Sequence, residues 1–132
     1  MDSLTIKEAP SLNEARYCHN TCVLGKRHLY VYGGFTKTAT LSTIEVLDAA
    51  AVIAADPADT ITHQWELIKP TGSVPGSRTD AMFAPISRTE LVIVGGFSSD
   101  YLTDGCFIFN TVTRDFSNQP LARGSIDGRF TV

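Results

Sequence analysis

The chain of 132 residues carries 11 Lys+Arg against 14 Asp+Glu, a formal charge of −3, with 43% hydrophobic and 19% charged residues. That balance excludes a disordered tail, and the absence of any basic run excludes an electrostatic footprint for nucleic acid or an anionic membrane. The length allows one domain at most, and the longest uncharged apolar run, residues 49–55, is far short of the roughly 20 residues that span a bilayer.

In chain order, the N-terminal segment Met1-Asp2-Ser3-Leu4-Thr5-Ile6-Lys7-Glu8 carries charges where a secretion signal needs an apolar core, so a cytoplasmic location is expected. Cys18, Cys22 and Cys106 are odd in number and lack framework spacing, which argues against a disulfide scaffold. The run Cys18-His19-Asn20-Thr21-Cys22 resembles a metal clip. On a strand, however, its two thiols lie roughly 13 Å apart at about 3.3 Å per residue, too far for two zinc bonds of about 2.3 Å each. Packed free thiols and no metal are expected.

Four short strands are predicted next, over 17–24, 28–33, 43–48 and 64–68, from β-branched and aromatic content and short polar connectors. An insertion over 49–63 interrupts them. Its alanines suit a short helix ended by Pro57, either a docking element or a loop packed on its own unit. A second set of strands is predicted over 79–86, 90–95, 105–110 and 114–117.

The second set repeats the first. Arg16 falls on Arg78 at an offset of 62 residues, and Leu29-Tyr30-Val31-Tyr32-Gly33-Gly34-Phe35 then falls on Leu91-Val92-Ile93-Val94-Gly95-Gly96-Phe97 without a gap. Ile44 to Asp48 falls on Cys106 to Asn110 at the same offset, and Trp65 corresponds to Phe116 at 51 once the insertion is removed. Upstream, Ile6-Lys7 and Ser11 recur as Ile68-Lys69 and Ser73. The chain therefore divides into residues 1–15 (the last strand of a preceding or shared unit), 16–77 (a unit with the insertion), 78–122 (a second unit) and 123–132, where Arg123 opens a third. Four antiparallel strands per period of about 50 residues describe one propeller blade.

The pattern Arg16…Leu29-Tyr30-Val31-Tyr32-Gly33-Gly34-Phe35…Trp65-Glu66-Leu67-Ile68…Pro75-Gly76-Ser77-Arg78 resembles the Kelch repeat, and so does its second copy through Gly95-Gly96, Phe116, Pro120 and Arg123. Phe116 stands where tryptophan is usual, and the first unit has no aromatic in its third strand. The resemblance implies an all-β fold, a Kelch-type β-propeller of two four-stranded antiparallel blades with partial flanking strands. It also implies an aromatic from the fourth strand (Trp65, Phe116) packed near the glycine doublet. The arginines 16, 78 and 123 would then tie each entering loop to an adjacent blade. Two blades do not close a ring of 4–8, so further blades or self-association are expected.

Kelch-type adaptors receive protein partners on the rim formed by the entering loops and the second-to-third-strand loops. The resemblance implies that this rim holds Cys18, Asp80 and the loop Ser98-Ser99-Asp100-Tyr101 as contact residues. The expected function is a non-catalytic protein-interaction scaffold without cofactor. The alternatives are a fragment of a copper enzyme of the galactose oxidase type, or a purely structural component of a larger complex. His19, His28 and His63 are scattered, no Ser, His and acid spacing is recognisable, and a phosphate loop is not supported because no helix start follows the glycines.

Overall fold

The computed structural model describes residues 9–54, 63–98, 101–102 and 105–119. Eleven strands and one short helix follow one another among them: β1 (Asn20–Leu24), β2 (His28–Tyr32), β3 (Ile44–Asp48), α1 (Ala49–Ala54), β4 (Glu66–Ile68), β5 (Thr71–Gly72), β6 (Met82–Pro85), β7 (Glu90–Val94), β8 (Phe97–Ser98), β9 (Tyr101–Leu102), β10 (Cys106–Asn110) and β11 (Asp115–Gln119). The molecule is all-β. Strands β1-β2-β3-β4 form one antiparallel meander, and β6-β7-β10-β11 form a second, with β5 added parallel at the β11 edge. Among the described residues the sheets form no closed barrel or ring, and no helix is long and apolar enough to cross a membrane.

The meanders follow from local chemistry. In the first, Gly25 and Lys26 adopt φ of 66° and 57°, and the Arg27 amide donates to Leu24 O at 3.2 Å, closing a three-residue hairpin. In the second, Asn110 Oδ1 accepts from the Val112 and Thr113 amides at 2.9 and 3.0 Å, an Asx turn that reverses β10 into β11. Helix α1 begins on Asp48, whose Oδ1 accepts from the Ala51 amide at 3.0 Å. The Arg27 carbonyl also accepts from the Ala49 and Ala50 amides, so the helix is fastened to the β1–β2 turn. No residue of α1 is buried, and Ile53 is 68% exposed. The rest of the inserted segment up to residue 62 lies outside the described residues.

The first strand of each meander starts later than its sequence pattern predicts, at Asn20 and Met82 rather than 17 and 79. The reason is the same in both. Cys18 and Asp80, 62 residues apart, each hold φ at 55°, and a left-handed residue breaks the ladder.

One hydrophobic cluster joins the sheets. It takes Leu24, Tyr30, Tyr32, Ile44 and Ile68 from the first and Phe83, Leu91, Ile93, Phe109 and Phe116 from the second. Tyr32 is fully buried, with its ring 6.0 Å from Phe83 and 6.2 Å from Phe116, and its hydroxyl donates to Gly76 O at 3.1 Å. Burial pushes its phenol up to about 12. The positions equivalent to Tyr30 and Tyr32 are Val92 and Val94, yet the second sheet contributes Leu91 and Ile93 instead. The two sheets therefore meet through opposite faces of equivalent strands, a head-to-tail arrangement.

Candidate interaction rim

The glycine doublets lie at one end of the molecule, just beyond β2 and β7. Gly33 and Gly34 have φ of 73° and 94°, and Gly95 and Gly96 have 69° and 101°. Only glycine fits, for two reasons. The dihedrals are left-handed, and a Cβ on Gly34 or Gly96 would meet the carbonyl of Tyr17 or Thr79 at 2.6 or 2.7 Å. At Gly33 a Cβ would strike Arg78 O, and the next amide, Gly34 N, donates to that same oxygen at 3.1 Å. The first doublet is thus the point where the second sheet's lead-in touches the first sheet.

The atoms that crowd the Gly33–Gly34 doublet are main-chain carbonyls and His19. Trp65 is half-buried, and its Nε1 donates to Pro10 O at 2.8 Å, whereas Phe116 is 3% exposed against Phe109 at 5.0 Å.

Each lead-in arginine holds its own sheet. Arg16 Nη1 donates to Gly33 O at 3.0 Å and Arg78 Nη1 to Gly95 O at 2.9 Å. Their Nε atoms donate to the carbonyls of Glu14 and Gly76, two residues upstream, at 3.3 and 3.1 Å. The remaining environments differ. Arg16 pairs with Glu45 at 2.9 Å, both side chains fully buried, while Arg78 lies over the ring of Phe107, its Cζ 5.2 Å from the centroid. Glu45 and Phe107 are equivalent positions.

Glu45 also accepts from the Asn13 amide at 2.7 Å, Asn13 Nδ2 at 3.0 Å and the Glu14 amide at 3.0 Å. Burial alone would raise its carboxyl, but these main-chain donors and Arg16 outweigh it and hold the group below the ordinary carboxylate range. The position equivalent to Asn13 is Pro75, which has no amide hydrogen to satisfy. Acceptor and donor were therefore exchanged together between the two units.

A main-chain clamp stands outside each doublet. Tyr17 and Phe35 exchange two hydrogen bonds at 3.0 and 2.8 Å, and Thr79 and Phe97 exchange two at 2.8 Å. These clamps present aromatic side chains to solvent. Tyr17 is 58% exposed, with its ring 5.4 Å from that of Phe35, and Phe97 is 44% exposed. Cys18 and Asp80, both exposed, follow the clamps directly and place strained backbone at the same end. The loop after Phe35 is closed on itself, with Thr36 Oγ1 accepting from the Thr38 and Ala39 amides. Its counterpart is the β8–β9 hairpin, in which Ser98 pairs with Tyr101. Ser99, Asp100 and Arg123 lie outside the described residues.

Sequence reasoning nominated Cys18 and Asp80 but passed over Tyr17, Phe35 and Phe97. An aromatic immediately after each glycine pair was the available signal. Among the described residues no group of three or more His, Cys, Asp or Glu is placed to hold a metal ion. Compared with known proteins, the chain matches no family model and no curated protein.

Proposed function

We propose that this chain supplies two neighbouring blades of a Kelch-type β-propeller that acts as a non-catalytic protein-interaction scaffold. Its partner polypeptide docks on the rim carrying Tyr17, Phe35, Phe97, Cys18 and Asp80. One observation carries the reading: both sheets repeat the same doublet, arginine and clamp, and both clamps turn an aromatic outward at the same end. Exposed aromatics on a rigid main-chain scaffold are the residue types on which interface energy concentrates. The head-to-tail stacking of the sheets favours the propeller reading, because a joint between unlike faces repeats around a ring. Three free cysteines suit a reducing compartment such as the cytoplasm.

The test is selection of a random peptide library on the immobilised chain, followed by binding of the enriched peptides to a Tyr17→Ser/Phe97→Ser variant. The expected result is a loss of at least about 30-fold, the consequence of removing a hot-spot aromatic worth about 2 kcal/mol. Enriched peptides that bind the variant as tightly as the parent would place the docking site elsewhere.

A further inference from the structure

At the end opposite the glycine doublets the two sheets part, and a cleft of about 490 Å³ opens between the β1–β2 turn and the turns β6–β7 and β10–β11. Its inner wall is apolar: Leu24 and Tyr30 are buried there and Val46 is half-buried. The mouth is cationic, with Arg27, Arg88 and Arg114 exposed around it. The cleft thus sets an apolar floor beneath a few polar groups at its opening.

Two of the three guanidinium groups are already engaged, and both hold carboxylates. Arg114 forks onto Glu66 at 2.5 and 2.9 Å, joining the β10–β11 turn of one sheet to β4 of the other. Arg27 holds Asp48 Oδ2 at 3.1 and 2.6 Å. Arg88 makes no ion pair among the described residues. The mouth is thus left with one uncompensated positive charge on a chain whose net charge is −3. Planar guanidinium groups select carboxylates by their fork geometry, as Arg114 on Glu66 demonstrates.

We propose that this cleft binds an acidic peptide segment, its carboxylate pairing with Arg88 and an apolar side chain two residues away seated on Leu24, Tyr30 and Val46. The cleft lies open between three turns, so an extended chain can cross it and direct two alternate side chains inward. This site is separate from the aromatic rim. It adds a second recognition surface at the other end of the sheets and does not rest on the rim reading.

The test is titration of the ¹⁵N-labelled full chain with three short probes, followed by amide shifts at Gly25, Thr89 and Val112. The probes are an end-blocked Leu-Gly-Glu-Gly, its Leu-Gly-Gln-Gly analogue, and a Gly-Gly-Leu tripeptide with a free terminal carboxylate. Saturable shifts are expected with the glutamate probe; shifts with the terminal-carboxylate probe alone would overturn the acidic segment in favour of a chain terminus. The glutamine probe should bind at least about tenfold more weakly, the equivalent of 1.4 kcal/mol. Arg88→Ala should weaken carboxylate binding about tenfold while Arg88→Lys recovers only part of that loss, and both variants should keep the parent amide spectrum because Arg88 is exposed. Glutamine binding equal to glutamate overturns the proposal, as does an absence of shifts at these amides with the glutamate probe at about 10 mM. Peptides selected on the Tyr17 and Phe97 rim report on the opposite end, so neither experiment decides the other.

Discussion

The exchange of Glu45 for Phe107, together with Asn13 for Pro75, predicts a double-mutant cycle with a definite outcome. Glu45→Phe removes the acceptor of four hydrogen bonds and leaves buried Arg16 with only the longer Glu14 contact at 3.4 Å as a carboxylate partner. Breaking one side of a buried pair costs about 3–5 kcal/mol. The lower part of that range is expected, about 3–4 kcal/mol, because Arg16 keeps Gly33 O, Thr43 O and Thr43 Oγ1. Asn13→Pro alone deletes the 2.7 Å amide bond and the side-chain bonds to Glu45 and Trp65 O, which costs about 2 kcal/mol. Combined, the two changes recreate the chemistry of the second unit: no orphaned amide at position 13 and an aromatic beneath the guanidinium, worth about 1 kcal/mol. The double variant should then cost about 3–4 kcal/mol, some 2 kcal/mol less than the sum of the singles. Urea unfolding followed by far-UV circular dichroism measures all three. Additive losses would refute the view that Asn13 and Glu45 act as one unit that was replaced as a pair.

Three further outcomes are expected. Gly33→Ala should cost about 3 kcal/mol or more, because strain at a left-handed residue adds to a collision with Arg78 O. Gly25→Ala, also left-handed at φ 66° but with nothing near its Cβ, should cost only about 1–2 kcal/mol in the same urea assay. Acid unfolding should be blunted in Glu45→Gln. The folded carboxyl lies below its unfolded value of 4.5, so its contribution is whole above that pH and is lost as the pH falls through the lower folded value. A midpoint unchanged by the substitution would contradict this. Finally, iodoacetamide at pH 8 should alkylate exposed Cys18 well before Cys22, whose thiol burial pushes up to about 12; mass spectrometry of the modified chain gives the order directly.

The repeat was legible because its residues do main-chain work. The offset that places Arg16 on Arg78 also places Gly33 N–Thr43 O on Gly95 N–Gly105 O, each at 3.3 Å, and the clamp at Tyr17 on the clamp at Thr79. Patterns of glycine and arginine report such backbone contacts well. Glu45 was not legible. In Ile44-Glu45-Val46-Leu47-Asp48 an acid between apolar residues reads as the wet side of an alternating strand, yet both Ile44 and Glu45 are fully buried. The lead-in segment at Asn13 and Glu14 covers that side, and no local period encodes a contact 32 residues away. The left-handed turns at Cys18 and Asp80 were missed because neither is glycine. The cationic cleft was invisible because its arginines come from three separate turns.

The unlike faces through which the two sheets meet carry a consequence for ancestry. A contact between identical faces is finished once two members have joined. Here the Tyr30–Tyr32 side of one member meets the Leu91–Ile93 side of the next, so a freshly duplicated copy inherits half of each joint already shaped. Divergence is then constrained joint by joint: the difference between Glu45 and Phe107 is matched locally, by Asn13 in one unit and Pro75 in the other. Such a lineage can drift far in sequence while its glycine doublets and lead-in arginines stand still.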